Sequence, residues 1–315
     1  MAFRDISVGK DTLAYYNIFN HISNLEFSYL LSSGYSENIE RGFALFIKLV
    51  SLIVDNYYFF QIIISALFCF SMGKFIYDNS PNMYLSSIIF LGCGLYLQAF
   101  TISRQCLAIA FIALAWSELK KNNYLKSLLY FLLGSIFHMS SIIFVTFVFV
   151  WLLKNKTKLL RAIPLFVLLI AINFGFLIDV LGFLLPRYKV YFANNLETID
   201  IGGILVVWIF ILCVALYHLY KRKSYSDNLE NSECVLSIGY VSLNILGYFY
   251  NYVDRLGMYF APCILIMIPV FIKSLNKSFT KKVLYIVTTA MFVALFYDTI
   301  FEVEYLKYSL FFLSK

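Results

Sequence analysis

An all-α, polytopic integral membrane protein is the fold class this sequence predicts, and three observations predict it. Of its 315 residues 61% are hydrophobic and only 14% charged, where a soluble domain is about half apolar and a quarter charged. Mean hydropathy is +0.79. Apolar runs of roughly 20 residues, the length that crosses a hydrocarbon core as a helix, recur along the chain. The net charge of +7 is no sign of a nucleic-acid partner, because basic loops also follow from membrane topology. Cys69, Cys93, Cys106, Cys213, Cys234 and Cys263 lie in or beside apolar runs without a C-x-x-C pair. They read as small core residues, not as a disulfide or metal framework. The sequence has no P-loop, no dinucleotide fingerprint and no H-E-x-x-H. An ATP-driven pump and a zinc protease are therefore disfavoured, and neither a cofactor nor a metal is expected.

Taken in order, residues 1–41 are polar and form an outer N-terminal segment. Residues 42–54 are apolar but too few to cross, and Lys48 stands in their middle, which predicts an interfacial helix. About eight full spans follow, at residues 57–77, 83–102, 105–119, 159–181, 201–220, 234–252, 258–272 and 283–301. Residues 221–233 read as a cytoplasmic linker, and the whole chain as a single polytopic domain. Between the third and fourth spans, residues 124–153 are largely apolar and are interrupted by Gly134, Ser135 and His138. A single crossing there would put Lys154, Lys156, Lys158 and Arg161 outside, against the positive-inside rule. A broken helical hairpin with its tip near residues 134–140 keeps them inside. Backbone at that depth is tolerated where protein buries it or a cavity takes it.

This topology separates the cations. The inner loops carry thirteen Lys and two Arg, whereas Arg4, Arg41, Arg104, Arg187 and Arg255 fall on the outer side. Arginine binds phosphate with two parallel hydrogen bonds, so an arginine-lined outer cavity suits an anionic, phosphorylated substrate. Pairing of each Arg with a nearby acid, as Arg255 with Asp254, is the alternative. Arg104 and Gln105 stand between two apolar runs and His138 within a third. A charge at bilayer depth costs about 2.5–3.5 kcal/mol on insertion scales, so such residues usually act in a cavity. A snorkelling boundary arginine and a hydrogen-bonded core histidine fit the same spacing. Tyr188, Tyr191 and Phe192 beside Arg187 and Lys189 form an aromatic, cationic surface, suited to sugars or to an interfacial belt. No internal repeat is evident, which weakens a reading as a repeat-built transporter.

Several motifs in order resemble the EpsG-like, Wzy-type family of bacterial polysaccharide polymerases. They are R-Q-x-x-A at Arg104, Gln105 and Ala108, the turn K-K-N-N-Y at Lys120, and F-H-M-S-S at Phe137. Upstream, Arg4 and Asp5 with V-G-K-D-T and Tyr15 resemble the family's R…G-T-D-x-x-x-Y loop. Downstream, Arg187-Tyr188 with Tyr191 and Arg255-Leu256-x-x-Tyr259-Phe260-x-Pro262 fit as well. Lys10 departs from the usual Thr before Asp11. Relatives place a spanning helix before this loop, so the expectation is a start upstream of Met1 or a missing first helix.

The resemblance implies a glycosyltransferase-type polymerase. It would join undecaprenyl-diphosphate-linked oligosaccharide repeat units into O-antigen, capsule or exopolysaccharide at the outer face of the bacterial cytoplasmic membrane. It also implies membrane lipid and a chain-length regulator as partners. In that chemistry His138, Arg104 and Asp11 are the catalytic candidates. Arg255, Arg187, Arg4, Gln105, Tyr259, Tyr188 and Tyr191 are the substrate-binding ones. A flippase for the same lipid-linked sugars is the alternative, and an acyltransferase acting on surface sugars a third.

Overall fold

The computed structural model describes residues 1–37, 39–173, 202–221, 228–250, 252–301 and 308–312. Among these the chain is mainly helical, with an isolated antiparallel bridge between Arg4 and Leu310. Helices α1 (Thr12–Asn24), α2 (Phe27–Leu31) and α3 (Arg41–Ile53) come first. The expected interfacial stretch is thus one helix, and Lys48 Nζ donates to Ser23 O at 2.7 Å, a cation on the last turn of α1. Helix α4 (Tyr57–Asn79) opens on Asn56, whose Oδ1 accepts the amides of Tyr58 at 2.8 Å and Phe59 at 3.2 Å, an asparagine N-cap.

Four helices are long and apolar enough to cross a membrane among the described residues: Tyr57–Asn79, Gly203–Tyr220, Val253–Ser274 and Ser278–Ile300. The other expected spans depart from that form for separate reasons. Residues 83–102 break into α5 (Met83–Gly92) and the short α6 (Leu95–Gln98), because Gly94 adopts φ +79°, a left-handed conformation that ends a helix. Helix α7 (Ser103–Lys120) is a full 18 residues but includes the charges of Arg104, Glu118 and Lys120. After α8 (Tyr124–Phe137), a 3₁₀ turn (Met139–Ile143) and α9 (Phe144–Leu152), helix α10 (Thr157–Ile172) covers the described part of the expected span 159–181, of which residues 174–181 lie outside the described residues. Helix α12 (Asn228–Gly247) starts inside the stretch read as a linker, and Ser232 and Glu233 there are buried. Helix α11 (Gly202–Lys221) matches its expected span closely, and α13 (Val253–Ser274) and α14 (Ser278–Ile300) cover theirs but begin earlier, at 253 against an expected 258 and at 278 against an expected 283.

The chain packs as two compact units, Met1–Asp78 with Leu91–Ile142 and Phe296–Lys315, and Asn79–Phe90 with Ile143–Leu295. In the second, α12 packs against α9, α10, α11 and α13. Phe147 stacks on Phe260 at 5.2 Å there, an aromatic pair within the favourable centroid range.

In the first unit α7 is the core. Every residue from Gln105 to Leu119 is buried. Four alanines, at 108, 110, 113 and 115, let α8 pack close against it, as small residues do between membrane helices. Ser127 Oγ donates to Ala115 O at 2.9 Å, and Phe111 stacks on Phe137 at 5.6 Å. A Cβ at Gly134 would stand 3.3 Å from Ala108 O. The contacts run 127 to 115 and 134 to 108, so α7 and α8 are antiparallel. Gly134 therefore serves the close approach of two helices and does not break α8, as the sequence suggested it would. The break falls at His138, whose backbone is extended (φ −158°, ψ 127°). The arms of the expected hairpin belong to different units, α8 to the first and α9 to the second. Leu125, Leu128, Leu129, Leu132, Leu133 and Ile136 of α8 are exposed, an apolar face that suits lipid.

Candidate functional site

The turn between α7 and α8 sets where the site lies. Asn122 takes φ +62°, a conformation asparagine tolerates better than most residues, and the K-K-N-N-Y motif folds the chain back there. Arg104 is 18 residues before Asn122 and His138 is 16 after it. At about 1.5 Å per helical residue both lie roughly 25 Å from the turn, so the antiparallel hairpin returns them to one end. Arg104 is the second residue of α7, and His138 caps the C-terminus of α8.

Glu40 joins them. It is the N-cap residue of α3, but its carboxylate does not cap that helix. Oε2 instead accepts from Arg104 NH1 at 2.6 Å. Oε1 meets His138 Nδ1 at 2.6 Å and accepts the Met139 amide at 3.3 Å. Helix α3 reaches this position by crossing α8 at Gly42, where any Cβ would collide with Ile136 Cγ2. Burial pushes the Glu40 carboxyl pKa up, but the hydrogen bond from His138 and the Arg104 charge outweigh it and bring the value down to about 2. Glu40 is therefore ionised and only accepts, so Nδ1 carries the proton and Nε2 is left as the ring's second nitrogen.

Aromatic rings close around the cation. The Arg104 guanidinium lies 5.5 Å from the Phe43 ring centroid and 5.8 Å from that of Tyr15, both within cation–π range. Burial raises the pKa of the Tyr15 hydroxyl against the pull of Arg104, which keeps it a neutral phenol. Arg104 pairs with Glu40 through a single nitrogen, its Nε is buried without a partner, and Ser141 Oγ, three residues past His138, is buried without one too. Buried polar atoms are normally satisfied, so this end holds spare hydrogen-bonding capacity.

A model of the EpsG family matches residues 1–310. The chain belongs to the EpsG family. That is the family of Wzy-type polysaccharide polymerase-like proteins. Membership and the apolar helices together make this EpsG-family chain a multi-pass membrane protein of polysaccharide biosynthesis. No curated protein and no solved structure matches it.

The remaining sequence candidates fall in different places. Arg4 is in the same unit but only 1% exposed. It donates to Met1 O at 3.0 Å, Thr12 Oγ1 at 3.3 Å and Ser103 Oγ at 3.5 Å, and so ties the N-terminal segment and α1 to the start of α7. Gln105 is buried one residue beyond Arg104. Asp11 is the N-cap residue of α1 and makes no side-chain cap. Its carboxylate has no hydrogen bond or ion pair among the described residues, and it lies near enough to act on the Tyr15 hydroxyl. Arg255 and Tyr259 belong to the second unit. There Arg255 lies 4.7 Å from the Tyr252 ring, and Tyr259 is fully buried. Arg187, Tyr188 and Tyr191 lie outside the described residues.

Glu40 is the site residue that sequence reasoning passed over. It sits in a polar stretch, 64 residues before Arg104, and no spacing pattern marks it. The available signal was indirect: an acid directly before an interfacial helix, on the face where Arg104 and His138 needed a counter-charge.

Proposed function

We propose that this protein is the polymerase of undecaprenyl-diphosphate-linked oligosaccharide repeat units, acting at the outer face of the cytoplasmic membrane. The observation that carries the reading is the Arg104–Glu40–His138 group, a phosphate-binding cation and an oriented imidazole held by one carboxylate. In the transfer, a hydroxyl of the acceptor unit attacks the anomeric carbon of the growing glycan. The new C–O bond forms as the bond to the undecaprenyl diphosphate breaks. His138 Nε2 takes the hydroxyl proton, and Glu40 on Nδ1 steadies the imidazolium that results, the role a carboxylate has behind a histidine base. Arg104 holds the leaving diphosphate, where charge builds up. Arg4 supports Arg104 from below through Ser103, and Asp11 is an alternative base beside Tyr15.

The test is glycan chain length on a gel, in cells without the gene. A ladder that collapses to one repeat unit, returns with the wild-type chain and stays collapsed with Arg104→Ala at equal protein level is the expected result. Absence of all surface glycan, with lipid-linked units accumulating inside, would assign the protein as a flippase instead.

A further inference from the structure

The two oxygens of Glu40 are held unequally. Oε1 has two partners, His138 Nδ1 and the Met139 amide, whereas Oε2 has one, Arg104 NH1. Arg104 in turn spends one of its five N–H donors on Glu40, and its buried Nε bonds to nothing. The α3 amides beside Glu40 receive no cap from its side chain, and first-turn amides have no acceptor within their own helix. Cation, spare donors and helix N-terminus all favour an anion at the place where the carboxylate now sits.

We infer that Glu40 is a resident stand-in for the substrate's diphosphate, which exchanges for Oε2 on Arg104 while Oε1 stays on His138. The inference rests on the polymerase reading. One carboxylate then does two jobs in sequence. In the empty site it neutralises Arg104 and keeps the cation from closing on other anions. In the loaded site it is released from Arg104 and is left to support His138 alone, so the base is fully engaged only when a diphosphate is present. A monodentate carboxylate is a fitting competitor, because a diphosphate can take the guanidinium by two parallel bonds and displace it.

The experiment measures binding of farnesyl diphosphate and of inorganic diphosphate to the purified full chain in nanodiscs, for wild type, Glu40→Gln and Arg104→Ala, beside the glycan ladder of each. Removing the competing charge should tighten farnesyl diphosphate binding in Glu40→Gln by about tenfold. The same change should cut polymerisation by about a hundredfold or more, since an amide does not balance an imidazolium. Affinity and turnover thus move in opposite directions, which mere loss of structure does not produce. Unchanged or weaker binding by folded Glu40→Gln, with binding still dependent on Arg104, overturns the exchange and leaves the polymerase reading standing. Binding that survives Arg104→Ala overturns both. Binding of inorganic diphosphate but not of farnesyl diphosphate overturns the assignment to a prenyl-linked substrate. Should Glu40→Gln fail to fold, infrared difference spectra of the wild type decide: saturable diphosphate binding with no shift of a carboxylate stretch overturns the inference.

Discussion

The α7–α8 hairpin is closed at both ends by charged groups, and the two ends differ in kind. At the turn, Lys74 pairs with Asp78 at 3.0 Å, and Lys121 with Asp78 at 3.3 Å and Glu118 at 3.1 Å. Asn123 Nδ2 adds a bond to Glu118 at 2.9 Å. The lysine side chains there are 40% and 43% exposed. At the opposite end Arg104 is 21% and Glu40 16% exposed, aromatic rings line the cation, and two buried polar atoms lack partners. Charge does not separate a clamp from a site here. Burial of the cation and unspent hydrogen bonds do, since the acids at the turn, Asp78 at 16% and Glu118 at 11%, are no more exposed than Glu40. The turn holds α4, α7 and α8 together with strong donors already shared between acids, whereas the far end holds its donors in reserve.

Substitutions at the two ends should therefore separate cleanly. The largest effect is expected from His138→Ala: chain extension slows by about 10²–10⁴-fold on loss of a positioned base, read as ladder length at equal protein level. Lys121→Ala in the same assay should give a normal ladder, and a collapsed one would erase the distinction between the ends. Arg104→Lys comes next, with extension reduced by about tenfold to a hundredfold, because a point charge replaces a planar fork. Full activity would show that only charge is needed. Gly42→Val should push α3 off Ile136 and lift Glu40 from both partners, at about 1–3 kcal/mol of stability, measured by thermal unfolding in detergent. A smaller effect concerns acid. The Glu40 carboxyl falls from its ordinary 4.5 to about 2 in the folded chain, so its ionised form adds stability above pH 4.5 that is lost as pH falls through 2. The gap in unfolding temperature between wild type and Glu40→Gln should be constant above pH 5 and close near pH 2. Asp78→Asn should cost about 1 kcal/mol, because both of its lysine partners are exposed.

Much of this first unit could be read along the chain. The apolar runs at α4, α11, α13 and α14 gave helices of spanning length, because hydropathy and length alone decide that a segment is apolar enough to cross. Arg104, the Asn122 turn and His138 share a near-equal spacing, and an antiparallel hairpin follows from it. Where the reading along the chain fell short, a single backbone position or a long-range contact had intervened. Gly94 splits what composition shows as one span, through a positive φ that apolar neighbours do not announce. Gly134 reads as a breaker in isolation, but the surface of α7 makes it a packing glycine.

Sequence by itself determined the fold class, the positions of most apolar helices and the candidacy of Arg104 and His138, since each depends on composition and periodicity along one stretch of chain. Only the tertiary structure decided which acid completes the group. Glu40 reaches Arg104 and His138 because α3 crosses α8 at a residue with no side chain, and a contact between helices so distant in sequence leaves no mark on the local pattern of either.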